Sequence, residues 1–438
     1  MSKCKKKCMS IIIALLLYLL IYNPPLLKFN FAIVFCIVFT AFFIFNYDKI
    51  KKYVDCKKVL IIELLFGIEL VFFCIISFLN NNSLITFAYL FYWIFCDIMF
   101  AVFVTYIFKK YGFSFIWLLN VIIFSTALFS LTAILAFLSP TIKGFFDSKL
   151  IAYGAEHADI LTTYRDYGFA ANLTNTSSFV TAAVSVLCFY LGANYKKRYL
   201  LFVPFFAFAA FINARTSIVI LVLGILISFL CISRRNIVKI ILLFIFLVVL
   251  GILVLPNVLE LISDKNVETA NWFNSGIQEL LSIFTKSDND SDSYVSYITN
   301  IERWILPSDF GFLFGKGTEI QGGSKYGVYS DIGFVNDFWR GGLVLFFINS
   351  ITLCCIIRTF YKTKLIDFHG RKFAVLFIIF LCMIVNLKGS FFIHNDVSIV
   401  IILLTIAIYT SKSNKKVINY DFKYHLQSCQ HYSTGLQC

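Results

Sequence analysis

Charged side chains are scarce in this chain. Asp, Glu, Lys and Arg together make up only 14% of its 438 residues, whereas 60% of the residues are hydrophobic. A soluble globular protein could not cover its surface with so few polar side chains. The composition therefore excludes a soluble enzyme and predicts a polytopic membrane protein.

The alternating hydrophobicity of membrane β-barrel strands is also missing. Instead, the apolar runs are continuous over roughly 18 to 25 residues, the length at which a helix crosses a bilayer with all its backbone groups satisfied. We therefore predict an all-α polytopic fold with about twelve transmembrane helices. The predicted spans are residues 9–26, 29–46, 59–79, 84–108, 113–138, 177–195, 199–213, 216–233, 237–256, 338–357, 373–388 and 395–411.

Acidic residues are outnumbered by basic ones, and the formal charge is +14. Most basic residues fall in alternate loops, so the positive-inside rule predicts that both termini are cytoplasmic. This asymmetry explains the charge, and no nucleic-acid partner is expected. The predicted organisation is spans one to nine within residues 1–256, with a first outer loop near 140–176, then a large periplasmic loop at 257–337, spans ten to twelve within 338–411 and a cytoplasmic tail at 412–438.

Motifs for metals and cofactors are lacking. The sequence has no Walker-type loop, dinucleotide fingerprint or metal-ligand spacing, and none of its cysteines falls in a predicted outer loop. Asp288, Asp290 and Asp292 resemble the start of a calcium loop. However, Ser293 and Thr299 occupy the positions where such a loop needs Gly and Glu. We therefore expect no cofactor and no metal.

The one long polar stretch, Pro256 to Asp337, is where a site is expected. Within it, Ala270 to Phe284 has the apolar spacing of an amphipathic helix that docks the loop. Four arginines lie on the predicted outer side, where the positive-inside rule makes Arg unexpected: Arg165, Arg215, Arg303 and Arg340. Together, their guanidinium groups would suit a diphosphate. For each one alone, an ion pair with Asp166, Glu302 or Asp337 is the alternative.

Several carboxylates are candidates for proton transfer. Asp331 or Asp337 could act as a general base on a sugar hydroxyl, or serve as a helix N-cap or in an ion pair. Glu69 and Asp97 lie inside predicted spans, where they could share a proton in a relay or remain hydrogen-bonded structural acids. His394, at the last predicted outer turn, is interpreted as a solvated residue at the membrane interface.

Three segments resemble the superfamily of O-antigen polymerases (Wzy) and O-antigen ligases. The first has Arg165, Gly168 and Asn172 before the sixth span, and the second is Ala214-Arg215-Thr216-Ser217. The third runs from Arg303-Trp304 through Gly315-Lys316-Gly317 and Ser330-Asp331-Ile332-Gly333 to Gly341-Gly342.

This resemblance implies a metal-independent glycosyltransferase with a GT-C-like fold in the bacterial inner membrane. It would act on undecaprenyl-diphosphate-linked oligosaccharides, with a chain-length regulator and a flippase as possible partners. Arg165, Asn172, Arg215, Arg303 and Arg340 would then bind substrate. Asp331, ahead of Asp337, would take the proton of the acceptor hydroxyl.

Three other functions stay open: the ligase of the superfamily, a flippase or other transporter, and a non-catalytic assembly partner. Ligases of the superfamily typically place a histidine followed by a small polar residue where this chain has Asp331 and Ile332, which favours the polymerase. A lipid-linked oligosaccharide flippase or other transporter is favoured by twelve spans and by Glu69 with Asp97. Against it, we find no six-plus-six repeat, and the long outer loop breaks the symmetry of many transporters.

Overall fold

The computed structural model describes residues 3–26, 30–82, 90–153, 168–171, 175–214, 216–232, 300–320 and 327–410, with Asn271, Asn274, Ser275 and Gln278. These residues form helices joined by turns and irregular segments, and no strand occurs among them. The helices are α1 Lys3–Tyr22, α2 Phe31–Phe45, α3 Tyr47–Ile50, α4 Cys56–Leu79, α5 Tyr92–Lys110, α6 Phe115–Leu138, α7 Pro140–Tyr153, α8 Thr176–Asn194, α9 Phe202–Asn213, α10 Ser217–Cys231, α11 Phe310–Phe314, α12 Gly333–Lys362, α13 Phe368–Lys388 and α14 Asp396–Tyr409.

Six of these helices, α4, α5, α6, α8, α12 and α13, are long and apolar enough to cross a membrane. α2, α10 and α14 are apolar but shorter. The all-helical prediction is confirmed for the described residues, and the apolar helices are those of a membrane protein. Every predicted span except 237–256, which lies outside the described residues, overlaps one of the helices. Twelve crossings stay a prediction.

Helix α4 has an exposed apolar face. Leu64, Ile68, Val71 and Ile75 are each more than half exposed, although the remaining face of the helix packs in the core. An apolar face of this size would be unstable in water and fits contact with lipid tails.

Side-chain contacts define two ends of the helix bundle. At one end, Ser177 near the start of α8 donates to Asp396 at the start of α14 over 2.6 Å. At the other, Lys58 near the start of α4 donates to the carbonyl of Tyr409 at the end of α14 over 3.0 Å. We call the first the loop end, because residues 300–320 and 327–332 pack there, and the second the basic end.

The basic end takes its name from its composition. It holds the helix termini that carry most of the described basic residues: Lys5, Lys6, Lys7, Lys49, Lys51, Lys52, Lys57, Lys58, Lys109, Lys110, Lys196, Lys197, Arg198, Arg358, Lys362, Lys364, Arg371 and Lys372. Tyr195, just after α8, donates to Asp367, just before α13, over 2.7 Å, which ties two of these termini together.

Two of the differences from the predicted helix boundaries bear on the predicted site. The first outer loop, predicted near 140–176, contains α7, which starts with Pro140, a residue favoured at the first helical position. α12 starts at Gly333, ahead of the predicted 338, so Asp337 lies inside the helix and not at the end of the loop. Gly333 approaches Gly389 so closely that an added Cβ would collide with the Gly389 carbonyl oxygen. The two backbones therefore cross at the loop end.

Candidate functional site

Helix α12 is broken after its first turns. Gly342 has φ 58° and ψ −153°, a conformation that interrupts the helix and that L-residues with side chains rarely adopt. The break deprives the carbonyls of Trp339 and Arg340 of their usual helical partners. Lys316 N and Gly317 N donate to these carbonyls over 2.7 and 3.1 Å. The Gly315-Lys316-Gly317 segment therefore completes the hydrogen bonding of a membrane-length helix.

The same segment is fixed to α4. Ser77 Oγ donates to the carbonyl of Gly317 over 3.1 Å, and Asn82 donates to the carbonyl of Lys316. A Cβ on Gly317 would lie 2.7 Å from the backbone of Ser77, so the close approach needs glycine. The Gly-x-Gly pattern thus has a packing role between α4 and α12.

The Arg340 side chain is close to the 315–317 segment and is only 2% exposed. Its Nη1 donates to Asp337 Oδ1 over 2.7 Å, and its Nε donates to Glu319 Oε1 over 3.0 Å. Charge-assisted bonds of this kind are what a buried guanidinium requires. Arg340 is therefore neutralised by carboxylates of the protein, which is the ion-pair alternative left open by the sequence.

Ser390, in the turn between α13 and α14, completes this cluster. Its Oγ donates to Asp337 Oδ1 over 2.6 Å and accepts from Arg340 Nη1 over 2.7 Å. Asn395 Nδ2 donates to the Ser390 carbonyl over 2.7 Å and holds the turn in place. α12 and the turn between α13 and α14 thus meet at the Asp337 carboxylate.

Glu69 adds a third carboxyl group near Arg340. It lies on α4, is 2% exposed, and interacts electrostatically with both Asp337 and Arg340. The four side chains Glu69, Glu319, Asp337 and Arg340 form what we call the acid–arginine cluster. With three acids and one guanidinium, this cluster has no excess positive charge to offer a diphosphate.

Asp97 and Glu69 do not share a proton in the way that the sequence suggested. Asp97 lies in the π-helical first part of α5, residues Tyr92–Ile98, and its Oδ2 is 2.8 Å from Nδ1 of His394. Asp97 Oδ1 is buried with no hydrogen-bond partner among the described residues. A π-helical turn carries an extra residue and redirects the side chains that follow, which places Asp97 towards α14.

His394 is accordingly a partly buried residue that pairs with Asp97. The interpretation of His394 as a solvated residue was wrong, because its side chain is only 15% exposed and contacts Asp97. Burial disfavours the imidazolium, but the Asp97 carboxylate and its hydrogen bond outweigh burial, and Asp396 adds to them. The pKa of His394 therefore lies above its usual value.

Asp331 and Arg303 lie on neighbouring segments outside the acid–arginine cluster. Ser330 Oγ donates to the carbonyl of Arg303 over 3.0 Å, and the Tyr329 hydroxyl donates to Asp331 Oδ1. Both Arg303 and Asp331 are half-buried. The segments are stabilised by Trp339, whose Nε1 donates to the carbonyl of Ile305 over 2.7 Å. The chain segments that carry Arg303 and Asp331 are thus neighbours at the loop end.

The remaining predicted site residues cannot be placed. Arg165, Asn172 and Arg215 lie outside the described residues, as does most of the predicted amphipathic helix from Ala270 to Phe284. Next to them, Gly168 has φ +60°, and an added Cβ would lie 2.6 Å from the backbone nitrogen of Ala133. This glycine is therefore needed where the first outer loop meets α6.

Two residues of the site were missed by sequence reasoning. Glu319 is an isolated acid in a loop, and Ser390 is one serine among many, so neither carries a motif. The Gly-x-Gly of Gly315 and Gly317 was a usable signal, because Glu319 follows it by two residues.

No protein-family model matches this chain, and no curated protein or solved structure matches it either.

Proposed function

We propose that this protein polymerises undecaprenyl-diphosphate-linked oligosaccharide repeat units into an O-antigen or capsular polysaccharide. The fold would be GT-C-like, with twelve spans in the bacterial inner membrane and both termini in the cytoplasm. The loop end would then face the periplasm, and the basic end would follow the positive-inside rule.

The observation that carries this proposal is the pairing of the Arg303 and Asp331 segments through Ser330. Neighbouring segments that carry a guanidinium and a carboxylate would match the two needs of glycosyl transfer from a diphosphate. Arg303 would bind the diphosphate and stabilise its charge as it leaves. Asp331 would accept the proton of the acceptor hydroxyl as that oxygen attacks the anomeric carbon. The bond from sugar to diphosphate breaks while the new glycosidic bond forms.

The acid–arginine cluster supports this site without touching substrate. Arg340 bonds to Glu319, and Asp337 bonds to Ser390. The backbone carbonyl of Arg340 accepts from Gly317 N. These contacts fix the loop segment 315–320 to the bundle. Positioning of this kind matters because small displacements of a reacting group lower the rate strongly.

A deletion strain complemented with variants tests this assignment. Asp331→Asn and Arg303→Ala should insert normally into the membrane yet leave single repeat units on the surface glycan. Glu302→Gln is a matched control, because this exposed acid precedes Arg303. Long-chain polymer in both variants would overturn the assignment.

A transporter of lipid-linked oligosaccharides is a second candidate, and specific observations favour it. The buried Asp97–His394 pair and the acid–arginine cluster are charged groups within or beside membrane-length helices, and α12 is discontinuous. The deletion strain separates the candidates. Repeat units retained on the cytoplasmic face indicate a flippase, lipid-linked polymer that accumulates indicates a ligase, and single repeats on the surface indicate a polymerase.

A further inference from the structure

The basic end contains a cavity that the proposed function does not use. Its volume is about 840 Å³, and it lies between α4, α5, α12 and α14 and the segment that joins α12 to α13. Its deeper walls are apolar, with Ile62, Leu65, Phe66, Ile356 and Ile402. It is therefore large and apolar enough to accept hydrocarbon.

The rim of this cavity is cationic. Five basic side chains line it: Lys58, Lys109, Arg358, Lys362 and Lys364. Arg358, Lys362 and Lys364 are exposed, and none of the three forms an ion pair within the described part of the chain. Their positive charge is left without a carboxylate of the protein.

The one acid that lines the cavity, Asp367, is already engaged. Its Oδ1 accepts from the Tyr195 hydroxyl over 2.7 Å and from Gly370 N over 3.0 Å, so it caps α13. This carboxylate serves a structural role and leaves the charges of Arg358, Lys362 and Lys364 uncompensated. The cavity thus joins an apolar interior to a cationic mouth.

The cavity also has a route from the bilayer. α4 and α12 meet near the loop end, where a Cβ on Gly341 would lie 3.1 Å from the Phe72 ring. Towards the basic end both helices line the cavity instead, α4 through Ile61 and Ile62 and α12 through Thr352 and Cys355. Ile61 lines the cavity and is also 48% exposed, so the cavity reaches the apolar surface of α4.

We propose that this cavity binds an anionic phospholipid, with its acyl chains between α4 and α12 and its headgroup on Arg358, Lys362 and Lys364. An uncharged hydrocarbon would make no ion pairs with the basic rim, and a free phosphate would leave the apolar interior unfilled. An anionic phospholipid uses both. A second cavity of about 670 Å³ shares Phe115 and Asp367 with the first but has no Lys or Arg in its lining. The charge is therefore specific to the first cavity.

Native mass spectrometry of the purified full chain in a neutral detergent tests this proposal, with phosphatidylglycerol and phosphatidylcholine as probes. We expect saturable retention of phosphatidylglycerol, and phosphatidylcholine should bind at least about tenfold more weakly, because each basic residue near an anionic headgroup adds to the affinity. Equal affinity for the two lipids would overturn the proposal. Inorganic phosphate should not compete, and displacement by phosphate at equal concentration would assign the rim to a free anion.

Matched variants assign the site. The triple variant Arg358→Gln, Lys362→Gln, Lys364→Gln should bind phosphatidylglycerol at least about tenfold more weakly. The control triple Lys196→Gln, Lys197→Gln, Arg198→Gln removes the same charge from exposed positions of the same end that do not line the cavity. This control should bind as the wild type does. Equal losses in both triples would mean general attraction to a basic surface and would contradict a built site.

Ile62→Trp tests the apolar part separately, because the larger side chain narrows the cavity and every rim charge is kept. We expect it to weaken phosphatidylglycerol binding without changing the melting temperature in detergent alone by more than a few degrees. Unchanged lipid affinity in a folded Ile62→Trp protein would place the acyl chains elsewhere and overturn the proposal.

Discussion

Asp337 and Arg340 form a buried ion pair, with 2.7 Å between Oδ1 and Nη1, one turn before α12 breaks at Gly342. A buried pair of this kind is costly to form, and removal of one partner leaves the other charge uncompensated. Each single substitution should therefore lower the free energy of unfolding, and the double substitution should lower it by less.

Arg340→Gln should destabilise the protein by about 3 to 5 kcal/mol, because it leaves Asp337 and Glu319 without their cation. Thermal unfolding in detergent, followed by circular dichroism, measures the loss. Asp337→Asn together with Arg340→Gln should recover part of it. Lys51→Gln is the control: the Lys51–Asp48 pair is exposed, and its loss should leave the melting temperature near the wild-type value. Equal effects of Arg340→Gln and Lys51→Gln would contradict a buried pair.

Gly342→Ala should cost about 1 to 3 kcal/mol, because the alanine must adopt φ +58° and its Cβ would lie 2.5 Å from the Leu313 backbone. The comparison is Gly67→Ala in the middle of α4, where a new Cβ has nothing within 4 Å. Alanine there should stabilise the helix by up to about 1 kcal/mol. The same detergent melts measure both variants. A stable Gly342→Ala protein would show that α12 is not broken at this residue.

The His394–Asp97 pair predicts a pH dependence. The folded-state pKa of His394 is raised above the value of about 6.5 in an unfolded chain. The stabilisation should be fully present below about pH 6.5 and lost as the pH rises through the raised pKa. The charged groups that face the imidazole are Asp97 on α5 and Asp396 on α14, and the Tyr92 ring lies 5.5 Å away.

The melting temperature of the wild type should fall as the pH rises above about 6.5. His394→Gln should remove the part of this pH dependence that comes from the His394–Asp97 pair. His369→Gln removes an exposed histidine at the basic end and should keep the wild-type slope. An unchanged slope in His394→Gln would show that another group titrates.

Asp331 and Asp337 should differ in what their loss does. Asp331→Asn changes a half-buried carboxylate at the loop surface, so the melting temperature should stay near wild type while polymer formation falls by about 100-fold or more, the usual effect of removing a general base. Asp337→Asn should lower the melting temperature, because it weakens the buried ion pair with Arg340. Gel analysis of the surface glycan and detergent melts on the same preparations separate the two effects. A stable, inactive Asp337→Asn protein with an active Asp331→Asn protein would reverse the roles.

Sequence reasoning located the helices because membrane-length apolar runs have one solution in lipid. The helix bounds of α4, α6 and α8 fall within a few residues of the predicted spans. The partners of individual side chains were harder to predict, because they depend on which faces of which helices pack together. Asp97 was paired with Glu69 from their similar depth, but the π-helical turn in α5 directs it to His394. Arg340 could be identified as an unusual outer arginine, whereas nothing local to it indicates Glu319.

The bonds from Lys316 and Gly317 to the carbonyls of Trp339 and Arg340 make a loop and a helix inseparable. If the 315–317 segment lifted away, two carbonyls inside a membrane-length helix would lose their donors, each at a cost of several kcal/mol in lipid. The 315–317 segment is therefore a fixed part of the loop end, bonded to α12, and not a separate lid.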